Sequence, residues 1–166
     1  MTRILAVKLP GLIFHQADLV DFDLGKQFDV VTCLFSSIGY VKTVERLDQA
    51  LGRLAAHLLP GGVLIVEPWF NPEQWRVGSL HALFVDQPGL KVSRMSVSAA
   101  DGRLSIIDFH YQVGTPEGVR NFTERHELGL FTDEEYLAAF QRAGLHTRHD
   151  PKGLDGRGLY LGLKPK

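Results

Sequence analysis

The stretch FDVVTCLFSSIGYVKTVERLDQALGRLAAHLLPGGVLIVE, residues 28–67, decides the fold. Residues 28–35 are apolar and β-rich, as expected of a strand covered on both faces. Val44, Leu47, Leu51, Leu54 and Leu58 then recur at helical spacing, with Glu45, Arg46, Asp48 and Arg53 between them. That pattern makes an amphipathic helix, and Thr43 stands where a side-chain cap belongs. Pro60-Gly61-Gly62 turns the chain, and residues 63–67 are a second buried strand. Strand, helix and strand in this order form a right-handed βαβ unit.

Upstream, residues 1–9 read as the end of an amphipathic helix, broken by Pro10-Gly11, and the apolar run 12–16 predicts a short strand. Downstream the pattern changes. Residues 91–97 and 104–112 alternate between apolar and polar, with the hairpin signal Asp101-Gly102 between them. A second turn over 114–118 leads to a third run, 119–131. These segments predict a three- or four-stranded antiparallel sheet. Thr132-Asp133-Glu134-Glu135 is a capping box that starts a helix whose apolar face is Tyr136, Phe140 and Ala143, stopped at Gly144. Residues 145–150 and 159–163 read as closing strands joined by a Gly-rich loop, 153–158. The expected fold is α/β: a Rossmann-like, mostly parallel sheet over 1–79 and 132–166, with an inserted antiparallel β subdomain over 80–131.

Composition narrows the function. The 18 basic and 19 acidic residues leave a formal net charge of −1 with no basic stripe, so nucleic-acid binding has no electrostatic support. The single Cys33 excludes an intrachain disulfide framework and a CxxC metal site. No leader pattern and no apolar run of membrane-spanning length is found, which makes the cytoplasm the expected location and a membrane an unexpected partner. HExxH, GxSxG and P-loop patterns are absent, as is a dinucleotide fingerprint.

In open α/β sheets, ligands bind beyond the carboxyl ends of the strands. Three segments fall there. In Gln16-Ala17-Asp18-Leu19, Asp18 can accept from an exocyclic amine such as that of adenine, or simply form a turn. Phe35-Ser36-Ser37-Ile38-Gly39-Tyr40-Val41 suits a loop bent around a ligand, or one with Tyr40 packed in the core. Glu67 ends an apolar strand, where an unpaired carboxylate would be costly, so it needs a partner or a polar cavity. Trp69 beside it offers a stacking surface; the alternative is a Glu67 satisfied by backbone amides over a core Trp69. Arg157 sits among Gly153, Gly156 and Gly158, where small residues admit a ligand and a guanidinium suits phosphate oxygens. His110 and His126 fall on predicted strands and read as structural.

Gln16-Ala17-Asp18-Leu19-Val20-Asp21-Phe22, then Phe28-Asp29-Val30-Val31-Thr32-Cys33, then Leu58-Leu59-Pro60-Gly61-Gly62 resemble, in order and spacing, the class I S-adenosylmethionine-dependent methyltransferases. Phe35-Ser36-Ser37-Ile38-Gly39-Tyr40, Glu67-Pro68-Trp69 and Asp155-Gly156-Arg157-Gly158-Leu159 narrow the resemblance. They are similar to the sugar N,N-dimethyltransferases that finish desosamine- and mycaminose-type sugars. The resemblance implies S-adenosyl-L-methionine as cofactor, with Asp18 and Leu19 holding adenine and Cys33, Leu34, Phe35 and Ser36 lining its pocket. It implies Tyr40 near the reacting amine, Arg157 on the pyrophosphate of a nucleotide-linked acceptor, and Glu67 and Trp69 lining the acceptor pocket. A small-molecule acceptor is the expected partner, and a homodimer is admitted.

One departure accompanies this. The family begins with a strand, a glycine-rich loop and, about twenty residues on, an acidic ribose-binding residue, and the 166 residues hold none of these. Met1 falls inside the second helix of the family fold. The expectation is a truncated product or a misplaced start, with a gap or an unpaired edge in the middle of the sheet. Two other functions stay open: methyl transfer to another small acceptor (an amino acid, amine or carboxylate), and a non-catalytic remnant of the fold. In the implied reaction Tyr40 orients the amine or passes its proton to water. A phenol titrating near pH 10 is a weak base at neutral pH.

Overall fold

The computed structural model describes residues 11–166; the helix expected over 1–9 lies outside the described residues. The decisive stretch folds as β1 (Phe28–Cys33), a 3-10 turn (Ser37–Val41), α1 (Val44–Ala56) and β2 (Leu58–Val66). Thr43 Oγ1 accepts from Arg46 N at 3.3 Å and caps α1. Leu47, Ala50, Leu51 and Leu54 are its buried stripe, and each fully buried leucine contributes about 1.5–3 kcal/mol. Leu58, which continues the helical spacing, is instead the first residue of β2. The helix ends at His57, whose Nε2 accepts from Leu24 N at 3.0 Å, so the last turn is spent on tying down the preceding loop.

β1 and β2 are parallel, and the register steps from Phe28↔Leu58 to Val30↔Val63. The extra residues, Pro60-Gly61-Gly62 among them, are accommodated inside β2 as a bulge rather than as a turn before it. Gly62 is required there: a Cβ on it would lie 2.9 Å from Leu59 O, 3.0 Å from Asp29 O and 3.1 Å from Phe28 O, all backbone.

The first sheet has the order β1-β2-β8-β7, with β7 (His146–Asp150) and β8 (Leu159–Leu163). β8 runs antiparallel to β2 and β7 antiparallel to β8, so β1, β2 and β7 point the same way and the sheet is mostly parallel in direction. Residues 12–16 form no strand, against expectation. Leu12 and Ile13 are 61% and 73% exposed, and neither sheet includes the segment. The outer edge of β1 likewise has no strand against it among the described residues.

α2 (Asp133–Arg142) begins with the expected capping box: Thr132 Oγ1 accepts from Glu135 N, and Glu135 Oε2 accepts from Thr132 N at 2.9 Å. Its buried Tyr136 and Phe140 stack with Tyr160 of β8, which joins α2 to the sheet.

The second sheet, β3 (Leu80–Gln87), β4 (Leu90–Asp101), β5 (Leu104–Thr115) and β6 (Gly118–Gly129), is an antiparallel meander in chain order. Pairings such as Arg94↔Tyr111, Ser98↔Ile107 and Ile107↔His126 fix one face. That face carries Ser96, Ser98, Ser105, Ile107 and Leu128, all buried, and turns toward the first sheet. No helix among the described residues is long and apolar enough to cross a membrane.

Candidate active site

Glu67, one residue past β2, is 3% exposed. Its Oε2 accepts from Phe35 N at 2.7 Å, and its Oε1 accepts from Arg157 Nη2 at 2.7 Å. The buried carboxylate thus has both a backbone amide and a cation, which is what its desolvation requires. It ties three loops together: the one after β1, its own, and the Gly-rich loop before β8. Ser36 Oγ adds a second tie, donating to Pro68 O at 2.7 Å.

The loop after β1 is held in a costly shape. Phe35 and Ser36 have φ of 54° and 55°, the left-handed region, at about 1–2 kcal/mol each. Strain of this kind gathers where a loop is shaped for a ligand. Phe35 presents its ring 88% exposed at the strand end, while Ser36 is buried. Cys33 is buried, which pushes its thiol up to about 11 and leaves it a packing residue rather than a nucleophile.

Asp18 reaches the same rim by another route. Both its oxygens accept from Arg46 Nη2, at 2.9 and 2.8 Å, and Arg46 lies in the first turn of α1, just after the β1 loop. The Arg46 hydrogen bond holds the Asp18 carboxyl below its ordinary range, helped by Val20 N. Any amine donor at Asp18 would share the carboxylate with Arg46. Leu19 follows it and packs against the core. The segments after residues 35 and 67 therefore meet at Glu67 and Ser36, and Asp18 joins the first turn of the helix that follows the β1 loop.

Trp69 bridges the two sheets. Its Nε1 donates to Ser105 Oγ at 2.8 Å, and Ser105 Oγ donates on to Leu128 O. With Phe70 and Trp75 it makes an aromatic cluster, ring centroids 4.8 to 5.8 Å apart. The Arg157 guanidinium lies 5.8 Å from the centroids of both Trp69 and Phe70, and its Nε is buried without a hydrogen-bond partner. Between this cluster and the inner face of the second sheet is a cavity of about 360 Å³, lined by Trp69, Phe70, Trp75, Arg94 and Phe109 among others. Arg94 lies 4.5 Å over the Phe109 ring.

Tyr40 is half exposed at the end of the 3-10 turn, and its hydroxyl is hydrogen-bonded to His126 Nδ1. Burial raises its pKa, and the Glu124 carboxylate adds to the rise. The turn is packed hard here: a Cβ on Gly39 would meet Leu128 at 3.0 Å and Trp69 at 3.2 Å.

The structure thus brings Phe35, Glu67, Trp69 and Arg157 together, sets Tyr40 against the second sheet and puts Asp18 on Arg46. Sequence reasoning treated His126 as structural and passed over Ser105, Arg94 and Phe109. The signal for them was alternation: 105, 107 and 109 on β5 and 124, 126 and 128 on β6 share the inner face.

A mostly parallel sheet backed by an antiparallel sheet is the fold this chain shares with solved class I S-adenosylmethionine-dependent methyltransferases. Comparison with known proteins narrows the class. The chain is 44% identical over 155 residues to dTDP-3-amino-3,6-dideoxy-alpha-D-glucopyranose N,N-dimethyltransferase of Streptomyces fradiae, covering 93% of this chain and 61% of that protein. The crystal structure of Streptomyces venezuelae DesVI matches with TM-score 0.93 at 41% identity, over 99% of this chain and 70% of that one. The S-adenosylmethionine-bound CalS10, an amino pentose methyltransferase from Micromonospora echinaspora, matches with TM-score 0.88 at 38% identity, over 98% and 69%. No protein-family model matches the chain. The chain belongs to the family of S-adenosylmethionine-dependent sugar N-methyltransferases. It spans 61 to 66% of the length of the curated relatives it matches.

Proposed function

We propose that this chain is the acceptor-binding and catalytic part of an enzyme that transfers methyl groups from S-adenosyl-L-methionine to the amino group of a nucleotide-linked deoxyamino sugar. The observation that carries the reading is Glu67 joining the β1 loop to Arg157 beside the aromatic cavity. One buried carboxylate fixes the expected cofactor loop and the expected acceptor cation relative to each other. The residues at the rim fit the cofactor: a strained loop with an exposed aromatic ring at Phe35 and a carboxylate at Asp18 are groups that suit a purine and its amine. Asp18 and Leu19 would hold the adenine, and Cys33, Leu34, Phe35 and Ser36 would line the rest of the pocket. The cofactor supplies an electrophilic methyl group on sulfonium. The protein orients the amine and excludes water, effects worth up to about 7–11 kcal/mol for well-aligned groups.

Arg157 would bind the acceptor pyrophosphate, Glu67 and Trp69 would shape the pocket, and Tyr40 would orient the amine. In the same reading residues 80–131 are a subdomain inserted between 1–79 and 132–166, supported by the separate sheet over β3 to β6. The proposed place of action is the cytoplasm, because a charged nucleotide-linked sugar does not cross a membrane unaided. A homodimer belongs to the reading too. Leu80, Phe84, Met95 and Val97 stand exposed on the outer face of the second sheet, apolar area that a second copy could cover. Sedimentation of the purified protein checks it, and a monomer at all concentrations would reject it.

The test is methyl transfer by the complete gene product to a panel of acceptors. Labelled product from dTDP-linked amino sugars, and none from amino acids, simple amines or carboxylates, supports the reading. The reverse preference overturns it.

A further inference from the structure

Tyr40, in the 3-10 turn, has its hydrogen-bond partner on the second sheet, eighty-six residues away in sequence. His126 lies on the inner face of β6, its ring 5.2 Å edge-on from Phe109, which lines the aromatic cavity. Its Nδ1 meets the Tyr40 hydroxyl, and its Nε2 lies 3.4 Å from Glu124 Oε1. A carboxylate facing one ring nitrogen favours the tautomer with the proton on that nitrogen. Nε2 then carries the hydrogen, and Nδ1 turns a lone pair to the phenol. The row Glu124, His126, Tyr40 has the order carboxylate, imidazole, hydroxyl, and the Tyr40 residue is half exposed.

We propose that His126 is the proton acceptor behind Tyr40, and that Glu124 fixes its tautomer. The proposal rests on the amine-methylation reading above. An amine bound as its ammonium ion has no lone pair to offer. Tyr40 answers this poorly by itself, since burial and the nearby Glu124 disfavour its phenolate. With His126 behind it, the phenolate is not needed. The ammonium gives a proton to Tyr40 Oη while the phenol's own proton passes to His126 Nδ1. One N–H bond of the ammonium breaks and its electron pair stays on nitrogen. The products are a neutral amine, a neutral phenol and an imidazolium facing Glu124, with total charge unchanged. The His126 side chain is 23% exposed, so the imidazolium can return its proton to water. His126 acts through Tyr40 and is a positioning residue in this scheme.

The test has two arms, both in the complete gene product. Nitrogen-15 NMR of the histidine rings reads the tautomer directly, without turnover. His126 in the Nε2–H form is expected; the Nδ1–H form would overturn the proposal, since Nδ1 could then accept nothing. In kinetics, His126→Ala is expected to lower kcat about a hundredfold with little change in acceptor KM. His126→Asn, which puts an acceptor oxygen near the Nδ1 position but cannot take up the proton, should be nearly as slow. Adding Tyr40→Phe to His126→Ala should cost little more, because the two act as one unit. Unchanged thermal unfolding controls for misfolding. Wild-type kcat in His126→Ala, or full activity in His126→Asn, overturns the proposal while methylation stands. A wild type that methylates no amino sugar overturns the functional reading and this proposal with it.

Discussion

Arg157 Nη2 lies 2.7 Å from Glu67 Oε1, and the backbone amide of Phe35 lies 2.7 Å from the other oxygen of the same carboxylate. A single buried side chain thereby sets the spacing between two loops that reach it from opposite neighbours of β2. Glu67→Ala leaves the Arg157 guanidinium without this partner and the Phe35 amide unsatisfied. Removing one member of a buried pair costs about 3–5 kcal/mol. Urea denaturation should show a loss at the lower end, because Arg157 is partly exposed. Glu67→Gln keeps an acceptor for the amide and should lose less. Equal losses in the two variants would contradict this division of roles.

Arg157→Ala should raise the KM for nucleotide-linked acceptors and leave the affinity for S-adenosylhomocysteine close to that of the wild type. Steady-state kinetics and calorimetry check the two halves. An unaltered KM would remove the proposed pyrophosphate contact and leave Arg157 as the structural partner of Glu67.

Tyr40→Phe should lower turnover more than it weakens cofactor binding, because the hydroxyl faces His126 at the second sheet. Equal effects on both would make Tyr40 a packing residue.

The start of α2 makes a pH prediction. Glu135 is both the capping-box acceptor and the partner of Arg103, and the Arg103 hydrogen bond holds its carboxyl below the ordinary value of 4.5. A depressed folded pKa gives stability that is present above 4.5 and lost as the pH falls through the folded value. Acid unfolding of Glu135→Gln should lose this component of its pH dependence. Thr132→Ala should cost about 1 kcal/mol at neutral pH, read as a fall in Tm. A Glu135→Gln acid transition that superimposes on the wild type would contradict the assignment.

Much of the fold was legible because its signals are local. Residues 44–56 carry a helical stripe and a threonine cap, Thr132 to Glu135 is a capping box, and Asp101-Gly102 marks a hairpin; each depends on neighbours within one turn. What failed depends on distant partners. The run 12–16 has strand composition, but a strand also needs a neighbour to pair with, and neither sheet includes this segment. Leu58 fits the helical period and still joins β2, because Phe28 pairs with it. In the candidate site, the sequence pointed to Glu67 needing a partner but could not name Arg157. The link from His126 to Tyr40 has no local signal, because it forms only when the second sheet folds back over the first. Asp18 was marked for a ligand with no hint that Arg46 would hold both oxygens.

The central claim is that a methyl group ends on the nitrogen of a nucleotide-linked sugar. Mass spectrometry and NMR of a dTDP-linked amino sugar, incubated with the complete gene product and S-adenosyl-L-methionine, test it directly. The account predicts new N-methyl resonances on the sugar and a matching mass increase. Recovery of unchanged sugar beside an active control enzyme, or a methyl group on oxygen, would contradict it.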